Sequence, residues 1–168
     1  MNIYDQLSND GIQRKQYSNM EIKKQEITAE DILEHWQQGK SALDWRGMTT
    51  KGKIEWLSAC LDWSGLPQQP IPAFDFIIDG NHVMSHDDYY CLLGEVFFGY
   101  RGYFGKNLDG WYDCFSEIYI YEKTKPVVTK GAKVIMKNSD QIKEALTAGY
   151  FLETVAGFKK HGFDVELE

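Results

Sequence analysis

From Phe74 onward, short apolar runs alternate with stretches of helical periodicity, and this alternation limits the fold more than any other feature of the chain. Phe74–Asp79 (FDFIID) reads as a short strand stopped by the turn pair Gly80-Asn81. Lys133–Met136 (KVIM) reads as a buried strand. Phe163–Leu167 alternates apolar with acidic residues, as a strand with one covered face does. Ser85 can cap a helix whose apolar positions are Tyr89, Leu92, Leu93, Val96 and Phe97. Asn107 can cap another, with Leu108, Trp111, Cys114, Phe115 and Ile118 available for burial. Ser139–Thr147 and Tyr150–His161 supply two more, the second placing Phe151, Val155 and Phe158 on one side and ending before Gly162. Strands separated by helices favour parallel pairing through right-handed crossovers. The expected class is therefore α/β, a small three-stranded parallel sheet covered by helices.

The chain before this region has a different character. Gly65–Phe74 (GLPQQPIPAF) holds three of the four prolines, which resist both helix continuation and sheet pairing, so residues 65–73 are expected to form a linker. Residues 1–64 then make a helical N-terminal extension, of which 1–24 are polar, poorly periodic and expected to be loop or frayed. Thr28, with Glu30 and Asp31 behind it, opens a helix carrying Ile32, Leu33 and Trp36, and Gly39 is a natural stop. A second helix runs from about Thr50 to Ser64, with Ile54, Leu57, Cys60 and Leu61 on one stripe. Four of the five tryptophans lie in this extension, an aromatic content that argues for packing.

Charge and composition narrow the function. The 168 residues carry a formal charge of −7, which repels phosphates and disfavours broad nucleic-acid binding; a cationic protein partner suits it better. Residues 1–25 contain no apolar run of the ~7–15 residues that a secretory signal needs. No stretch approaches the ~18 apolar residues of a membrane span. Cys60, Cys91 and Cys114 lie far apart with no CxxC pair, as expected of free thiols in a reducing cytoplasm. His82 and His86, followed by Asp87 and Asp88, lack a helical HExxH pattern and a third nitrogen or sulfur ligand, so no metal or other cofactor is expected. No Ser/His/Asp order, phosphate-binding loop or dinucleotide fingerprint points to an enzyme.

The informative stretch is Tyr103-Phe-Gly-Lys-Asn-Leu-Asp-Gly-Trp-Tyr-Asp-Cys-Phe115. Asp109 and Asp113 are four apart, so their carboxylates project from one helix face at a cost of about 0.2–0.5 kcal/mol in like-charge repulsion. A solvated acidic face is one reading of that spacing. The other is a protein-contact surface, because Tyr100, Tyr103, Phe104 and Tyr112 surround the acids and aromatic rings with selective charges are what such surfaces use.

These residues carry a family resemblance. The chain from Phe74 to Glu168 resembles the barstar family of intracellular inhibitors of barnase-type ribonucleases, through IDG at 78–80, YFGKNLDGWYDC at 103–114 and GFDVELE at 162–168. The middle motif, YxGxNLDxxxDC, matches position for position; residues 1–73 have no counterpart in it. The resemblance implies a barstar-like fold over 74–168 and inhibition by plugging, with carboxylates taking the place of substrate phosphates in a cationic ribonuclease or toxin nuclease. Carried over, Asp113 is the principal anchor with Asp109 beside it, Tyr103 stacks against the catalytic cleft, and Asn107, Leu108 and Gly105 line the contact. Tyr112 stands where the family has tryptophan, Lys106 where it has an acid, and Gly157 where its last helix carries a glutamate. Residues 119–132 exceed the family's connection and have the length for a hairpin or an extra strand. The competing expectation is a protein-binding module on the same fold with a partner that is not a nuclease.

Overall fold

A computed structural model of the chain describes residues 26–40, 43–123 and 126–168; the loop expected over 1–24 lies outside them. Three strands form one sheet in the order β1-β2-β3: β1 (Asp75–Asp79), β2 (Lys133–Lys137) and β3 (Asp164–Leu167). Both pairings are parallel, with Phe76 opposite Val134, Ile78 opposite Met136, and Val134 opposite Val165. Six helices accompany it among the described residues: α1 (Ala29–Gln37), α2 (Thr50–Ser64), α3 (His86–Phe98), α4 (Leu108–Glu122), α5 (Ser139–Leu146) and α6 (Ala148–Lys160). The first crossover carries α3 and α4, the second α5 and α6.

Local chemistry explains where the helices start. Thr28 accepts from the Asp31 backbone N–H while the Asp31 carboxylate accepts from the Thr28 N–H, a reciprocal box that opens α1. Ser85 accepts from Asp88 N–H at 3.2 Å and Asn107 from Gly110 N–H at 2.8 Å, opening α3 and α4. The sheet obeys its period of two: Phe76, Ile78, Val134 and Met136 are buried on one face. The opposite face carries exposed Asp75 and Ile77, half-buried Ile135, and the Lys133–Glu166 ion pair. Helices thus cover one side of the sheet.

The proline-rich stretch is anchored to the core: Ile71 is 1% exposed, forms a parallel bridge to Val128, and donates its N–H to the Val127 carbonyl at 3.1 Å. Proline removes its own donor but leaves the isoleucine between Pro70 and Pro72 free to pair. Residues 119–132 form neither a hairpin nor a strand among those described: α4 runs on to Glu122, and Val127 and Val128 then turn inward beside Ile71.

The extension shares the main core. Ile32, Trp36, Trp45, Trp56, Leu57 and Cys60 are buried in the same cluster as Phe97, Trp111 and Phe158. Polar ties reinforce the junction. Trp45 Nε1 donates to Glu95 at 2.9 Å, and Arg46 grips both oxygens of that carboxylate at 3.0 and 3.2 Å. Lys53 pairs with Asp88, whose side chain is 4% exposed and also accepts from Met84 N–H and Ser85 Oγ, both at 3.1 Å. A buried carboxylate satisfied this fully joins α2 to α3.

Candidate partner-binding site

The acidic helix α4 follows a loop, residues 99–107, that has little freedom. Gly105 is buried with φ +88°, and a Cβ there would lie 2.6 Å from the Trp111 backbone nitrogen. Glycine is the side-chain-free residue that both the backbone angle and the close approach demand. Asn107 is exposed, but its Oδ1 is engaged in capping α4. Leu108 is half-buried and its N–H, one of the helix's orphan donors, meets the Tyr150 hydroxyl at 3.0 Å. That hydroxyl lies 2.7 Å from the hydroxyl of Tyr90. Tyr90 and Tyr150 therefore set the start of the acidic helix from positions far away in the chain, and no local sequence signal announces them.

Asp109 and Asp113 both point to solvent, and neither forms an ion pair or accepts a side-chain hydrogen bond among the described residues. Asp109 sits in the first turn, where the helix dipole favours a negative charge. The face is therefore exposed and unneutralised by any described cation.

Tyr103 corrects an expectation. Only 4% exposed, its ring is covered and does not offer a stacking surface. Its hydroxyl lies close to Gly110, and burial above all, then the charges of Cys114 and Asp113, push its pKa up to about 12. It supports the acidic turn from below as a neutral group. Tyr112 is half-buried, with its ring 5.4 Å from Trp111, 5.7 Å from His161 and the Lys160 ammonium 5.7 Å from its centroid. Burial, then Glu153, raises its hydroxyl pKa, so it stays protonated. Cys114 faces inward, its thiol pushed up to about 12 chiefly by burial, and is chemically quiet.

Gly157 of α6 faces these rings. A Cβ there would lie 2.6 Å from Trp111 Cζ3 and 2.9 Å from the Tyr112 hydroxyl, so the space a side chain would need is already filled by aromatic groups. His161, one turn on, stacks on Phe115 with centroids 3.9 Å apart and planes at 9°, and its Nδ1 lies 2.8 Å from the Gly157 carbonyl oxygen. The sequence names His161 only as a helix end and Arg101 only as a basic residue entering the loop; the structure sets the Arg101 guanidinium against the rings of Trp63 and Trp36.

A family model described as Barstar (barnase inhibitor) matches residues 73–160, which is 88 of the 168 and spans β1 through α6. The chain belongs to the barstar family. The barstar-family match takes in the whole glycine-aromatic loop and the acidic helix, and it leaves α1 and α2 outside. Barstar is an inhibitor family rather than a catalytic one, and its members act on barnase-type ribonucleases, which are protein partners. No curated protein and no solved structure matches the chain. Among the described residues, no helix is long and apolar enough to cross a membrane.

Proposed function

We propose that this chain inhibits a cationic ribonuclease of the barnase type, or a related toxin nuclease domain, by setting the acidic face of α4 into the groove that grips RNA phosphates. The observation that carries the reading is the state of Asp109 and Asp113: adjacent on one helix face, exposed, and without an ion-paired cation among the described residues. Basic side chains that hold phosphate oxygens hold carboxylate oxygens by the same charge-assisted hydrogen bonds. Asp113 is the anchor, Asp109 its neighbour, and Asn107, Leu108, Gly105 and Tyr112 shape the surface around them. Tyr103 contributes from beneath. The reading places the protein in the cytoplasm as an antitoxin or immunity factor, with no cofactor and no nucleic-acid contact of its own.

The test is RNA cleavage by a panel of barnase-type and toxin-domain ribonucleases, with and without the full chain. One-to-one inhibition that weakens with salt is expected, since exposed charges are screened over about 8 Å at physiological ionic strength. Asp113→Ala should cost about 3–5 kcal/mol of binding, the scale of an uncompensated buried charge, with an unchanged circular dichroism spectrum. Asp109→Ala should cost less, and the two losses should not sum, because neighbouring acids share partner groups. Equal inhibition by Asp113→Ala of a nuclease that the wild type blocks overturns the anchor. A second reading, a binding module with a non-nuclease partner, draws on Gly157 and the covered Tyr103, which alter the family's contact set. It predicts that no panel member is inhibited.

A further inference from the structure

The loop between α3 and α4 is gripped from two sides. On one side Gly102 lies against α3, so close that a Cβ on it would come within 2.4 Å of the Gly94 carbonyl oxygen. On the other side, the next two residues back reach into the N-terminal extension. The Arg101 guanidinium sits 4.5 Å from the Trp63 ring centroid and 5.2 Å from that of Trp36. The Tyr100 ring meets Trp56 edge-on at 5.5 Å and Trp36 at 6.2 Å, and its hydroxyl donates to the Leu43 carbonyl.

Arg101 makes no ion pair among the described residues, and its Nε is buried without a hydrogen-bond partner. Aromatic faces hold this cation, an interaction that strengthens as water is excluded. The planar guanidinium can stack on an indole face in a way that a lysine ammonium cannot. Every group doing the gripping on this side (Trp36, Leu43, Trp56 and Trp63) lies before residue 73, where the family match begins. The gripped residues lie within it and lead directly into Gly105 and Asn107.

We infer that the extension is an intramolecular clamp: Trp36 and Trp63 hold Arg101, Leu43 and Trp56 hold Tyr100, and the loop 99–106 is thereby ordered in the free chain before any partner arrives. A loop ordered in advance does not have to be ordered on binding, and that difference appears as affinity. Arg101 and Trp63 are positioning residues for the acidic helix. Only this consequence for affinity rests on the inhibitor reading; the clamp itself is a property of the free protein.

Amide hydrogen–deuterium exchange of the full chain tests the clamp, alongside inhibition of the most sensitive nuclease in the panel. Arg101→Ala and Trp63→Ala should each speed exchange of the amides of 100–107 by about threefold or more, the scale of a lost, partly exposed cation–π contact, with β2 exchange unchanged. Both should weaken inhibition by a similar factor. Arg101→Lys, which keeps the charge and loses the stack, should behave like Arg101→Ala. Asp113→Ala should abolish inhibition with wild-type exchange in the loop. Unchanged loop exchange in both Arg101→Ala and Trp63→Ala overturns the clamp, as does full protection in Arg101→Lys. If loop exchange rises while inhibition holds, the clamp stands and its consequence for affinity is overturned. Should no nuclease be inhibited, the inhibitor reading fails alone, and the exchange data still decide the clamp.

Discussion

Position 157 is where the family resemblance implies a glutamate and this chain has Gly157. The aromatic groups of Trp111 and Tyr112 fill the volume a side chain would occupy there, at 2.6–2.9 Å from the position of a Cβ. Restoring the acid should therefore not restore a contact. Gly157→Glu is expected to destabilise the fold by about 1–3 kcal/mol, the ordinary range for overpacking, because rings wedged into a core have no room to retreat. Urea denaturation measures this; an unchanged midpoint would mean that Trp111 and Tyr112 give way freely. Asp109 and Asp113 are the opposite case, since their shared face follows from their spacing along one helix.

At the scale of elements, α4 depends on its first turn. Asn107 satisfies Gly110 N–H, Tyr150 satisfies Leu108 N–H, and Gly105 lets the loop approach Trp111. Asn107→Ala should lower stability by about 1 kcal/mol, the usual cost of a lost N-cap, read as a shift in the thermal midpoint. Its effect on inhibition should exceed that of a neutral surface change, because the turn it opens carries Asp109. The caps Thr28, Ser85 and Asn107 were legible in the sequence because a cap is decided by residues within four positions of it. The strands were legible for a similar reason, their period of two matching the buried Phe76, Ile78, Val134 and Met136. Ile71 was not. Its bridge to Val128 is a pairing between segments more than fifty residues apart, and the prolines on either side masked it.

For the whole molecule, the shared core makes a prediction about cooperativity. Trp36, Trp45 and Trp56 of the extension are buried in one cluster with Trp111 of the family-matched region. Unfolding followed by tryptophan fluorescence, dominated by the extension, should coincide with unfolding followed by far-ultraviolet circular dichroism, which reports every helix. Two separated transitions would make the extension an independent unit. Stability should also depend on pH through His161. Burial first, and Lys160 after it, hold its pKa below the ordinary value near 6.5, against the opposing Gly157 carbonyl. The unfolded chain then binds the proton before the folded one does, so stability is full above about pH 6.5 and falls as the pH drops from there toward the lowered folded value. His161→Phe, which can keep the stack on Phe115, should flatten that part of the pH profile of the thermal midpoint. An identical slope in both proteins would remove His161 from the account.

Read alone, the sequence determined the helices, the caps Thr28, Ser85 and Asn107, the three parallel strands, and the shared face of the two acids, because each follows from neighbours along the chain or from a repeating period. Tertiary structure alone decided that Tyr103 is covered, that Arg101 lies against two tryptophans of the extension, that Gly157 has no room for a side chain, and that the proline-rich stretch is fastened to the core. The last three depend on partners tens of residues distant, brought close only when apolar surfaces far apart in the chain are buried together.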